Sequence, residues 1–331
     1  MSGWNAVKPA VLPLDDIYAP IAEQLRTVEQ LFDEELECDL PFLAQICEHV
    51  SRYRGKMLRP ALTLLAAQAC GRVSREHITI AAVLEMVHLA TLVHDDVLDE
   101  AETRRRSPTI NAMAGNETAV LVGDYLISHA YHLCSSLDSQ YASRTVASCT
   151  NTVCEGELLQ VHERDNWALT QEQYLTIISR KTASLISVAC MLGAKYAGAD
   201  AATINALESY GMDTGVAFQV VDDILDLVGS EQQLGKTLGL DLDKGKVTLP
   251  IIHYLEFADH AARQRLRRLC ANPSDQSRAE LRDLLADSLA YAMNFANQRV
   301  QSALACTDRL PESPARNSLR AMAEFIVQRR Y

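Results

Sequence analysis

Apolar positions recur every three to four residues along almost the whole chain. That is the period of a helix with one buried face. The pattern predicts helices over residues 60–69, 78–99, 118–137, 144–161, 171–195 and 201–227, with weaker amphipathic helices from 255 to the C-terminus. Pro60 suits a helix start, where its missing N–H breaks no bond. Thr170 followed by Gln173 has the spacing of a capping box, in which side chain and backbone satisfy each other. Alternating period-two runs of any length are absent, and no low-complexity or Pro/Gly/Ser-rich tract divides the chain. The pattern implies one all-α domain over residues 1–331, with 1–14 as a loosely ordered N-terminal arm.

Composition narrows the function classes. Against 31 Lys and Arg stand 43 Asp and Glu, a net charge of −12, so no general nucleic-acid-binding surface is expected. An acidic protein that handles an anion must gather its cations locally or recruit metal. Nine cysteines are scattered from Cys38 to Cys306 without a CxxC pair, which argues against a disulfide framework or a structural zinc and suits a reducing cytosol. The N-terminus lacks the basic-then-apolar order of a signal peptide. The richest apolar run, residues 186–199, is broken by Lys195, short of a membrane span. A soluble, cytoplasmic protein without a transmembrane segment is expected.

The chemistry begins with two acidic helix ends. LVHDDVLDE closes one apolar run and carries Asp95, Asp96 and Asp99; FQVVDDILDLVG closes another and carries Asp222, Asp223 and Asp226. Residues four apart share a helix face, so Asp95 and Asp99 point the same way. His88 falls on the stripe of Asp95, and Gln219 on that of Asp222. Facing one hollow, such clusters would repel each other unless divalent cations intervened. Mg²⁺ takes octahedral oxygen ligands, one or two of them carboxylates and the rest phosphate and water. Two DDxxD copies therefore read as halves of a cage for a metal-bound polyphosphate.

Counter-charge lies in four places. Lys56 and Arg59 precede a helix start, where free N–H groups also favour anions. Arg104, Arg105 and Arg106 follow the first acidic cluster; Lys181 and Thr182 lie within 171–195; and GKTLGLDLDKGKVTLP carries Lys236, Lys244 and Lys246. Taken together, GKMLRP, His88, DDVLD, RRR, KT, FQ, DDILD and the GKTLGLDLDKGKVTLP loop resemble, in order and spacing, the trans-isoprenyl diphosphate synthases, or polyprenyl synthetases. The resemblance runs from about residue 15 through the closing AEFIVQRRY and is strongest to bacterial long-chain, octaprenyl-type members.

The resemblance implies an all-α helical bundle around a deep central cavity, working as a homodimer. It implies condensation of an allylic diphosphate with isopentenyl diphosphate, assisted by Mg²⁺, three ions per active site. By the same resemblance Asp95, Asp99 and Asp222 are metal ligands, with Asp96, Asp223 and Asp226 completing the motifs. Lys56, Arg59, His88 and Arg105 match positions for isopentenyl diphosphate. Arg104, Lys181, Thr182, Gln219 and Lys236 match positions for the allylic diphosphate, and Lys246 joins them. EGELLQ, residues 155–160, also matches but suggests no chemical role. Arg54 and Arg106 stand where the family usually has glycine.

In such enzymes the growing tail descends below the first acidic cluster until bulky residues stop it. Thr91 and Ala90, four and five residues before Asp95, are small. An open shaft in an otherwise close-packed interior favours a product of about C30 or longer over one of about C15. Tyr125, His129, Tyr131 and His132 are candidates for a deeper floor. The alternatives are a shorter-chain synthase, a class I terpene cyclase, a metal phosphohydrolase built on the His94–Asp95 pair, or the non-catalytic subunit of a heteromeric synthase. Peripheral membrane contact would serve release of a long apolar product.

Overall fold

The computed structural model describes residues 12–105, 107–228, 244–271 and 274–328. Lys236 and Arg106 lie outside them, as do residues 1–11 of the expected arm, residues 235–243 of the basic loop and the last three residues.

Helices dominate. In chain order they are α1 (Leu14–Tyr18), α2 (Ala22–Glu35), α3 (Pro41–Ser51), α4 (Leu58–Cys70) and α5 (Arg75–Leu98). After a short hairpin come α6 (Ile110–Ala114), α7 (Asn116–Ser135), α8 (Gln140–His162), α9 (Gln171–Ile178), α10 (Ser184–Tyr196) and α11 (Ala201–Val228). The remaining helices are α12 (Leu249–Phe257), α13 (His260–Ala271), α14 (Asp275–Leu284), α15 (Ala286–Cys306) and α16 (Pro314–Gln328). A buried apolar core runs from Ile17 to Ile326. Helices α4, α5, α10 and α11 form its centre, flanked by α7, α8 and α15.

Two of these stretches, Arg75–Leu98 and Gln171–Tyr196, are long and apolar enough to cross a bilayer, yet 72% and 61% of their apolar windows are buried inside the protein. Their apolar surface is thus largely covered by the protein itself, the pattern of central core helices.

Local signals account for the boundaries. Ser74 and His77 cap α5 reciprocally, and Gly71 ends α4. The Thr170/Gln173 box closes as its spacing predicts: Thr170 N–H donates to Gln173 Oε1 at 2.9 Å, and Gln173 N–H donates to Thr170 Oγ1 at 3.2 Å. The expected continuous helix over 171–195 is instead interrupted by a π-helical turn, Ser179–Ala183. Helices α2 and α3, which the sequence pattern did not predict, are additional. So is the hairpin, in which Thr103 pairs with Pro108 and Arg104 with Ser107.

Candidate active site

Helices α5 and α11 end beside one cavity of about 670 Å³. Asp95 and Asp99 from α5 and Asp222 and Asp223 from α11 all line it, with Arg59, His88, Arg104, Arg105, Lys181, Thr182, Gln219 and Lys246. Two distant segments of sequence thus share one hollow. Between the charges lie apolar walls that include Leu92, Leu98, Leu158, Ile177 and Phe218.

The six aspartates divide by helix geometry. A step of one residue turns about 100°, so Asp96 leaves the face of Asp95 and Asp99. It is buried, and Arg104 grips it through Nε at 2.8 and 3.0 Å and Nη2 at 2.7 Å. Asp223 reaches the cavity edge but is held by Tyr174 Oη–H at 2.6 Å and Gln219 Nε2–H at 2.8 Å. Asp226 is buried away from the cavity lining. Burial pushes the Asp95 carboxyl up; Lys181 draws it back, and Glu157 and Asp99 add repulsion. This all-oxygen set suits a hard divalent cation. Among the described residues no three His, Cys, Asp or Glu gather tightly enough to enclose an ion by themselves. Further ligands would have to come from substrate and water.

The π turn explains how cations enter this acidic space. The extra residue swings Lys181 and Thr182 toward the cavity, where Lys181 Nζ lies 3.6 Å from Asp95 Oδ2 and pairs with Glu157. Thr182 Oγ1–H donates to Gln219 Oε1 at 2.8 Å. Asp95, Lys181, Thr182, Gln219 and Asp223 therefore form a connected polar ladder from one acidic end to the other. The turn packs on α8 at Gly156, where any Cβ would overlap the backbone nitrogen of Lys181. EGELLQ thus acquires a role: Gly156 admits the turn, and Glu157 orients its lysine. Across the cavity Lys246 Nζ–H donates to Asp99 Oδ2 at 3.0 Å.

A second cationic group lies deeper. Burial draws the Arg59 guanidinium down to about 10, with Glu85 opposing. Burial, then Arg59, Arg105 and Arg104, hold His88 well below the usual imidazole range, so it is neutral at pH 7. Glu85, three residues before His88, is a buried carboxyl pushed up by desolvation and drawn back by Arg59, Arg105 and Arg54. It had no motif to mark it; its signal was a lone charge inside an apolar helical run. The hairpin turn delivers Arg105, which donates to Tyr53 O and lies on Gly55, where a Cβ would strike its guanidinium. Positive φ occurs on both sides of the site, at Met57 and Arg105 by the deeper cations and at Glu100 and Asp165 by Asp99 and Lys246, a pattern found where a site over-determines its backbone.

Several expected residues stand elsewhere. Lys56 does not line the cavity; its ammonium sits 5.4 Å from the Phe325 ring centre. Arg54 turns away to Asp33 at 2.6 Å, so it does not obstruct the site. Thr91 is in the wall, but Ala90 is wholly buried in the core, because five residues along a helix bring it off the Asp95 stripe. Tyr125, His129, Tyr131 and His132 are not in the lining.

The polyprenyl synthetase family model matches residues 40–287. The chain belongs to the polyprenyl synthetases. It is 34% identical to the octaprenyl diphosphate synthase of Escherichia coli over 321 residues, covering 96% of this chain and 99% of that protein. With the all-trans-nonaprenyl-diphosphate synthase (geranyl-diphosphate specific) of Rhodobacter capsulatus it shares 36% over 317 residues, 95% and 97% of the two chains. The crystal structure of a decaprenyl diphosphate synthase from Rhodobacter capsulatus superposes with a TM-score of 0.90 at 34% identity, over 96% of this chain and 100% of that one. A polyprenyl synthase from Caulobacter crescentus, complexed with calcium and isoprenyl diphosphate, gives 0.91 at 31% identity, over 98% and 100%. As a polyprenyl synthetase the chain is a prenyltransferase with the all-α fold of its relatives.

Proposed function

We propose that this cavity condenses an allylic diphosphate with isopentenyl diphosphate to extend an all-E polyprenyl chain. The observation that carries the proposal is the meeting, in one apolar-walled hollow, of two acidic helix ends with two separate sets of cations. Relatives named for octaprenyl, nonaprenyl and decaprenyl products support a long-chain product.

Asp95, Asp99 and Asp222 would hold Mg²⁺, three ions per active site, and bound there it would neutralise the diphosphate as a leaving group. Arg104, Lys181 and Lys246, with Lys236, take oxygens of the allylic diphosphate, while Thr182 and Gln219 fix the lysine-bearing turn. Arg59, Arg105 and neutral His88 receive isopentenyl diphosphate, and Lys56, outside the lining, joins them by the family resemblance alone. Fixed cations favour the charge that develops as the allylic C–O bond breaks. The apolar walls keep water from the resulting carbocation. The isopentenyl double bond supplies the electrons for the new C–C bond, and the proton then lost passes to the departed diphosphate. No protein nucleophile is needed.

The core, continuous from Ile17 to Ile326, supports the reading of residues 1–331 as one domain, and nine unpaired cysteines suit the cytoplasm. Two copies would pair along the exposed Met113, Val120 and Leu121 of α6 and α7, and Leu158, 70% exposed at the cavity edge, would meet lipid during product release. Incubation with farnesyl diphosphate, isopentenyl diphosphate and Mg²⁺ should give long polyprenols after dephosphorylation. Hydrocarbon formed from the allylic diphosphate alone would indicate a cyclase. Phosphate release without extension would indicate a hydrolase, and activity only with a second chain would indicate a subunit. Each would overturn the proposal.

A further inference from the structure

Arg164 belongs to none of the motifs, yet it leans on the metal-facing acidic end. It follows the C-cap of α8, and its Nη2 lies 3.6 Å from Asp99 Oδ1. Lys246 holds the opposite oxygen, Oδ2, at 3.0 Å. One carboxylate is thus pinched between two cations borne on different segments.

Those segments are fastened together. Asp165 adopts a left-handed backbone, and its N–H donates to Gly245 O at 2.8 Å. Gly245 itself has φ +69°, and a Cβ there would collide with Asp165. The clasp holds Arg164 and Lys246 on opposite oxygens of Asp99; Asp99 and Lys246 line the cavity, and Arg164 stands beside it, one carboxylate away. Asp99 nevertheless leaves the guanidinium poorly satisfied. Its Nε and Nη2 are buried without a hydrogen-bond partner, a condition that costs free energy unless an acceptor arrives. A planar guanidinium fork matches phosphate oxygens, which offer several acceptors at once.

We propose that Arg164 is a further ligand of the allylic diphosphate, resting on Asp99 beside the cavity until substrate arrives and then turning its guanidinium into the cavity to donate Nε–H and Nη2–H to phosphate oxygens; this depends on the diphosphate reading of the cavity. Lys246 leaves Asp99 for the same ligand, so the carboxylate becomes free for the cation that accompanies the diphosphate.

The test is calorimetric titration with the unreactive thio-analogue of farnesyl diphosphate, its bridging oxygen replaced by sulfur, in Mg²⁺. Arg164→Gln should bind the analogue about tenfold or more weakly, the scale of a charge-assisted hydrogen bond. Arg164→Lys should recover part of the loss. Isopentenyl diphosphate affinity and the thermal midpoint should stay unchanged. Unaltered analogue affinity in Arg164→Gln would overturn the proposal, as would equal weakening of both ligands, a sign of general disturbance. Tighter Mg²⁺ binding without weaker analogue binding would also overturn it, leaving Arg164 a guard of Asp99 alone. If the wild-type protein itself fails to bind the analogue, the diphosphate reading falls and this inference falls with it.

Discussion

Lys181→Gln removes the ammonium from between the acidic helix ends. Lys181, Asp95 and Glu157 have side chains 19%, 22% and 19% exposed, so solvent screens them only partly. At 3.6 Å from Asp95, unit charges attract by about 4–5 kcal/mol at an effective dielectric near 20. Partial exposure reduces the net value to about 2 kcal/mol. With substrate bound, the same ammonium meets a phosphate, where a charge-assisted hydrogen bond contributes about 1.5–3 kcal/mol. At about 1.4 kcal/mol per decade, kcat/KM for the allylic substrate should fall about 10- to 100-fold. Asp95 and Glu157, released from their cation, should bind Mg²⁺ more readily, so half-maximal rate should come at lower Mg²⁺. Lys181→Arg keeps the charge and should retain more activity. Initial rates of labelled isopentenyl diphosphate incorporation, taken across allylic diphosphate and Mg²⁺ concentrations, separate these effects. A loss confined to the isopentenyl KM, or a raised Mg²⁺ requirement, would refute the placement of Lys181 at the allylic diphosphate.

Gly156→Ala should destabilise the protein by about 1–3 kcal/mol, the cost of overpacking, because the new methyl meets the π turn. Thermal melting should drop and the allylic kcat/KM should fall with it; an unchanged melt would show that the turn is not held against α8. Thr91→Phe should shorten the product by filling the cavity wall, and chromatography of the dephosphorylated product showing no change would remove the shaft from below Asp95. His88 provides a pH test. Its folded-state pKa is depressed, chiefly by burial, so below about 6.5 the unfolded chain binds the proton more readily and acid favours unfolding. The stability gap between wild type and His88→Gln should therefore move in the variant's favour as pH falls below about 6.5; a constant gap would mean that His88 is not desolvated.

Most helices and the two acidic ends were legible because they depend on local rules. A 3.6-residue period, a proline at a helix start and a Thr-x-x-Gln box act within a few residues of one another. The DDxxD spacing likewise places Asp95 and Asp99 on one side of α5 without any tertiary information. Helices α2 and α3 were not predicted although each carries a narrow stripe, Val28 and Phe32 in α2 and Ile46, Cys47 and Val50 in α3; polar residues outnumber the stripe in α2. The π turn was invisible because its fit against Gly156 involves a residue more than twenty positions earlier.

By itself, then, the sequence determined the helical class, the inventory of charges and the phase of each carboxylate on its own helix, since covalent spacing and helix pitch set all three. Tertiary structure decided which charges share a cavity. It locked Asp96 onto Arg104, turned Arg54 toward α2, sank Ala90 into the core and set Glu85 beneath the arginines. It also brought Arg164 and Lys246 to one carboxylate. These outcomes depend on desolvation and on contacts between segments far apart in the chain, and no local pattern encodes either.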